Sequence, residues 1–164
     1  MRDANGGADL VYAGAMKVVS LPPPVDCATI LPGFDFADAF GVLAPAGVDA
    51  PEAARRAFAH PPQWAAMLLA LRDRLVAPFG LKPAPATGFP VISERPDQVV
   101  MGFDDRHLDF RIVVTLASGM ACVTTIVRRH NLGGRLYLAA IMPLHRLIAR
   151  AFVAKIVIPL KTPG

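Results

Sequence analysis

Four histidines, two cysteines and a scatter of acids carry whatever side-chain chemistry this chain can perform, and two of the histidines fall into one polar cluster. The segment "DDRHLDFR" supplies Asp104, Asp105, Arg106, His107 and Asp109, and "RRHN" supplies Arg128, Arg129, His130 and Asn131. If Ser118-Gly119 is a two-residue turn between β-branched runs, His107 faces His130, Asp109 faces Arg128 and Thr115 faces Cys122. Two imidazoles beside a carboxylate can move protons or ligate a metal. The plainer reading of the same residues is a polar turn next to an Asp109–Arg128 ion pair. No H-E-x-x-H or comparable ligand spacing occurs, so no metal is expected. Ser118, Thr124, Thr125 and Cys122 suggest nucleophiles, but no G-x-S-x-G elbow surrounds them and Cys122 has no cationic neighbour in sequence. "GLKPAPATG" and "NLGG" are turn glycines without a G-x-G-x-x-G or P-loop pattern, so no cofactor is expected.

The second constellation is apolar. On a helical wheel of "HNLGGRLYLAAIMPLHRLIARAFVAK", Leu136, Tyr137, Ala140, Ile141, Leu144, Leu147, Ile148, Ala151 and Phe152 fill one broad arc, while Arg135, Arg146 and Arg150 lie opposite. His145 sits at the edge of the arc. Tyr137 is the best polar anchor, because a buried hydroxyl needs a partner, and His145 is second. Pro143 removes one helical donor, so a kink is expected there. The arginines argue against a membrane span. Arg146, Arg150 and Lys155 suit weak contact with anionic headgroups as well as plain solvation.

The elements that would position these residues follow from periodicity. Residues 1–30 read as an irregular N-terminal segment, with "LPPPVD" extended or turning. Phe34, Phe36, Phe40 and Val42 alternate as in a strand, while Phe36, Phe40 and Leu43 would also suit a helix. "DAPEAARRAFAH" carries helix-start signals: Asp49 as cap, Pro51 in the first turn, Glu52 three residues after the cap. "PPQWAAMLLALRDRLVAPFG" places Trp64, Leu68, Leu71 and Leu75 on one arc of a second helix. Strands are expected over 89–94, 98–104, 107–116 and 120–130. With Asp105-Arg106 as a turn, Phe103 faces Leu108 and Met101 faces Phe110. Val99, Met101, Phe103, Leu108, Phe110, Ile112, Val114, Val123 and Val127 then share one face, and Asp109, Arg111 and Arg128 share the other.

This order is an α+β fold of the helix-grip kind: an antiparallel curved sheet around a long C-terminal helix, with two short helices after the first strand. Such a sheet leaves a cavity against its helix. Lining candidates are Trp64, Leu68, Phe103, Phe110, Ile112, Tyr137, Ile141, Leu144 and Ile148. One domain is expected over residues 31–156, with 157–164 as a tail.

Composition sets the outer bounds. The chain has 164 residues, enough for one core. Hydrophobic residues make up 54% and charged ones 18%, which points to a large interior or an apolar pocket. The net charge of +4 is spread from Arg2 to Lys161 rather than gathered in a stripe, so no nucleic acid is expected. Cys27 and Cys122 form no disulfide framework, and "MRDANGGADL" is not a signal peptide, so a cytoplasmic protein is expected. The uncharged run "IVVTLASGMACVTTIV" is shorter than the roughly 20 residues of a spanning helix.

"LPGFDFADAF", "PPQWAAMLLALRDRLVAPFGLK", "GFDDRHLDFR" and "TTIVRRHNLGGRLYLAAIMPLHRLI" resemble, in order, an uncharacterised bacterial family catalogued as domain-of-unknown-function family 2867. The resemblance spans residues 30 to 155. That family is grouped with the START/SRPBCC helix-grip superfamily, whose members include birch-allergen-like lipid carriers and polyketide cyclases. The resemblance implies a pocket for a small apolar or amphipathic molecule.

Two functions are therefore expected in order of preference. The first is binding of a small hydrophobic or amphipathic ligand between sheet and C-terminal helix. The second is a cyclase-, dehydratase- or hydrolase-like enzyme using His107, His130 or Tyr137 for proton transfer. The predicted register turns both histidines away from Phe110, which weighs against the second. A third reading, a homodimerisation module, requires a filled interior and a contiguous exposed apolar patch.

Overall fold

The computed structural model describes residues 17–59, 64, 67 and 89–158. Its elements in chain order are β1 (Val19–Leu21), α1 (Cys27–Ile30), β2 (Phe36–Leu43), α2 (Ala50–Phe58), β3 (Val91–Arg95), β4 (Gln98–Asp104), β5 (Leu108–Ala117), β6 (Met120–Arg129) and α3 (Leu132–Ala154), followed by a 3-10 turn at Lys155–Val157. The strands make one open, curved antiparallel sheet in the order β1-β2-β6-β5-β4-β3. Helices α2 and α3 lie on one face of it. Among the described residues no helix is long and apolar enough to cross a membrane.

The β5–β6 hairpin turns at Ser118-Gly119 as the sequence indicates, both with positive φ (50° and 75°). The register follows: Thr115 pairs with Cys122, Asp109 with Arg128, and the His130 amide donates to the His107 carbonyl at 2.9 Å. The preceding hairpin differs. Its turn is Arg106-His107, not Asp105-Arg106, because the Asp105 carboxylate accepts the His107 amide at 3.1 Å and the Asp105 amide donates to the Leu108 carbonyl at 3.1 Å. Phe103 therefore pairs with Phe110, and Met101 with Ile112. The slip moves each partner by two positions, and a period of two leaves every side chain on its expected face.

That inner face carries Val99, Met101, Phe110, Ile112, Val114 and Val123, packed against the alanines of α2 and against Val153, Ile156 and Val157. Ala50, Ala53, Ala54 and Ala57 are all buried, and their small side chains let α2 lie close to the sheet. The α2 start matches its signals: the Asp49 carboxylate accepts the Glu52 amide at 2.7 Å, with proline in the first turn. Val157, expected in the tail, is 7% exposed and belongs to the core. Helix α3 is capped by Asn131, whose side chain accepts the Gly134 amide at 3.0 Å, and it runs on through Pro143.

Two expectations are overturned. Residues 17–30 are not irregular: β1 pairs with β2, and α1 is capped by the Asp26 carboxylate. The opposite face of the sheet is not simply polar. Val100, Val113 and Ile126 alternate onto it and are covered by Cys27 and Leu31, with Val25, Ile30 and Phe34 beside them. Phe34 thus precedes β2 and packs on the back face instead of extending the inner row. The second expected helix appears at Trp64 and Met67, which are helical; Leu68, Leu71 and Leu75 lie outside the described residues.

Candidate functional site: a cavity between sheet and terminal helix

A cavity of about 160 Å³ lies between the inner face and α3. Its floor is two cross-strand rows. Phe36, Val127, Phe110 and Phe103 form one; Thr125 and Ile112 belong to the other, which Asp38 begins. Leu138, Ile141, Leu144, His145, Ile148 and Phe152 of α3 form the roof, spaced so that successive helical turns each contribute. Phe58 and Phe89 close one side. The ring centroids of Phe152 and Phe58 are 5.2 Å apart, those of Phe58 and Phe89 6.1 Å, those of Phe89 and Phe110 5.5 Å, and those of Phe110 and Phe103 5.8 Å. An unbroken chain of aromatic contacts therefore lines the wall.

Thr125 and His145 are the polar residues among the described lining. They are neighbours through a third residue: Asp38 is the cross-strand partner of Thr125, and its two carboxylate oxygens each lie 3.1 Å from His145 Nε2. The His145 ring meets the Phe36 ring edge-on at 6.2 Å. Asp38 and His145 are both largely buried, so a carboxylate and an imidazole share one polar point in an apolar chamber.

Of the lining residues expected from the sequence, the structure puts Phe103, Phe110, Ile112, Ile141, Leu144 and Ile148 on the wall. Trp64 is 39% exposed and lies off the described wall; a wheel fixes which residues share an arc but not how the helix is rotated on the sheet. Leu68 and the Tyr137 side chain lie outside the described residues.

His107 and His130 meet at the sheet end but do not reach the cavity wall. His130 Nε2 is 3.0 Å from Asp109 on the back face, where Arg128 Nε donates to the same carboxylate at 2.9 Å and Arg128 Nη1 to the Pro32 carbonyl at 3.0 Å. Burial pushes the Asp109 carboxyl up, but the bonds from His130 and Arg128, with their charges, more than reverse this and hold it below the usual carboxylate range. The His107 ring touches Asn131, the α3 cap, and accepts from Arg106 Nε at 2.8 Å. Both histidines hold elements in place. Among the described residues no three His, Cys, Asp or Glu side chains converge as metal ligands. Arg150, on the expected lipid-facing side, donates to the Val18 carbonyl at 3.0 Å and lies over the Phe40 ring. Cys122 sits mid-strand with its thiol pushed up to about 11, chiefly by burial, which suits no nucleophile.

Sequence reasoning missed Asp38, Thr125 and the phenylalanines at 36, 58, 89 and 152. Asp38 was findable: in "FDFADAF" it shares parity with Phe36 and Phe40, and an acid on a core-facing strand position requires a partner. Phe58 and Phe89 were not, since no periodicity links a helix end to a strand start.

A family described as protein of unknown function (DUF2867) matches the chain over residues 30–152. No curated protein matches it. No solved structure matches it.

Proposed function

The chain belongs to the DUF2867 family, and from that premise we propose that it binds a small hydrophobic or amphipathic molecule in a helix-grip cavity of the START/SRPBCC kind. One observation carries the reading: beneath α3 the packing leaves about 160 Å³ open, walled almost wholly by phenylalanine and aliphatic side chains. Protein interiors are normally close-packed, and unfilled apolar space costs stability through lost contacts. A void of this scale resembles the ~150 Å³ apolar cavity that takes up a benzene ring. A mostly apolar chamber with a few polar groups is the usual form of a ligand site.

Calorimetric titration with toluene and indole tests this. Both should bind the purified protein, and Leu144→Trp or Ile148→Trp, which fill the roof, should weaken binding about tenfold or more. Undiminished binding in both variants would move the site elsewhere, and no binding at all would end the proposal.

A further inference from the structure

We infer that the guest is a neutral single-ring molecule bearing one hydroxyl, held by its oxygen between Thr125 and His145. The inference rests on the cavity reading above and narrows its ligand class. The wall offers hydrogen-bonding side chains at one point only among its described residues, so the guest's polarity is confined to one end. His145 Nε2 is committed to the two oxygens of Asp38, at 3.1 Å each. A carboxylate so placed accepts the bond from the Nε2–H, the tautomer in which Nδ1 is an acceptor. Thr125 is 5% exposed, and its hydroxyl makes no hydrogen bond to another described residue.

Both residues line the cavity and both adjoin Asp38, so the imidazole and the rotatable hydroxyl belong to one polar corner of the wall. A guest hydroxyl serves both, donating to Nδ1 while it accepts from Thr125. A ketone oxygen cannot donate, and a hydrocarbon leaves both groups unpaired in an apolar wall, which is costly. A guest carboxylate would place a second negative charge beside Asp38. The aromatic chain from Phe152 to Phe103 receives the ring itself.

The test compares toluene, p-cresol and p-toluate, which share a tolyl body and differ in the head group. By calorimetric titration, p-cresol should bind about tenfold tighter than toluene, the effect of one or two added hydrogen bonds, and p-toluate should bind weakest. In Thr125→Val and in His145→Phe, each of which removes one of the two bonds, the ratio of p-cresol to toluene affinity should fall to about threefold or less. Asp38→Asn should reduce the advantage by freeing the imidazole tautomer. Thr125→Val nearly preserves side-chain volume, so it answers the question even if His145→Phe does not fold. Equal binding of toluene and p-cresol, a preference for p-toluate, or a cresol-to-toluene ratio undiminished in Thr125→Val overturns this inference and leaves the cavity reading standing. Failure of all three molecules to bind removes both.

Discussion

At the scale of the residue, the ionisable groups divide by face. Asp38 and His145 meet at the cavity, whereas Asp109, Arg128 and His130 meet behind the sheet. The second group is architectural. Asp109 is 3% exposed, and through Arg128 it ties the Pro32 carbonyl to β5 and β6. A buried carboxylate deprived of charge leaves its partners unsatisfied, so Asp109→Asn should lower unfolding free energy in urea by about 1–3 kcal/mol. The linkage has a definite sign. The folded carboxyl is more acidic than the same group in the unfolded chain, so its stabilisation is complete above about pH 4 and fades as pH falls through the folded value. Stability of the parent protein should therefore drop in that acid range, and the drop should be smaller in Asp109→Asn. An identical acid limb in both proteins would show that another carboxylate governs it.

At the scale of the element, the seating of α3 decides the cavity. Its first turn rests on the β4–β5 turn: Asn131 caps it while touching His107, and a methyl at Gly134 would overlap the His107 carbonyl oxygen. Gly134→Ala should cost about 1–3 kcal/mol despite alanine's better helix propensity, because overpacking outweighs propensity here. It should also weaken toluene binding by tilting the roof; unchanged stability and binding would show that the contact yields freely. Much of this was readable beforehand. The β5–β6 register followed from two turn residues, and the α2 start from its cap; the α3 start did not, because Gly133-Gly134, expected in a turn, lie in the first turn of the helix behind the Asn131 cap. The β4–β5 turn was misplaced by one residue because the bond from the His107 amide to Asp105, which selects Arg106-His107, leaves no periodic trace. His107 and His130 looked chemical because sequence shows which residues are near one another before it shows what each is bonded to.

At the scale of the whole molecule, the central strands β4, β5 and β6 are buried on both faces, and here sequence reading fell short. The run "IVVTLASGMACVTTIV" is nearly continuous in apolar and small residues, which signals a strand pair covered on both sides. Its cover, α1 with the flanking Val25, Leu31 and Phe34, is built on a helix of four residues, too short to display a period. Leu31 is the centre of this cover at 3% exposure. Leu31→Ala should reduce stability by about 2–4 kcal/mol in a urea melt while leaving toluene affinity unchanged, because the back-face cluster supports the cavity floor without touching it. A parallel loss of affinity would mean that the two faces are mechanically coupled.

That layered backing covers the floor of the chamber from behind, whereas the overhead span carries a break in its own hydrogen-bond ladder. Pro143 has no amide to offer the Ala139 carbonyl, so the rod's internal ladder lacks a rung one residue before Leu144 and two before His145. The proposed guest would therefore meet the roof where its backbone ladder is interrupted, beside the imidazole.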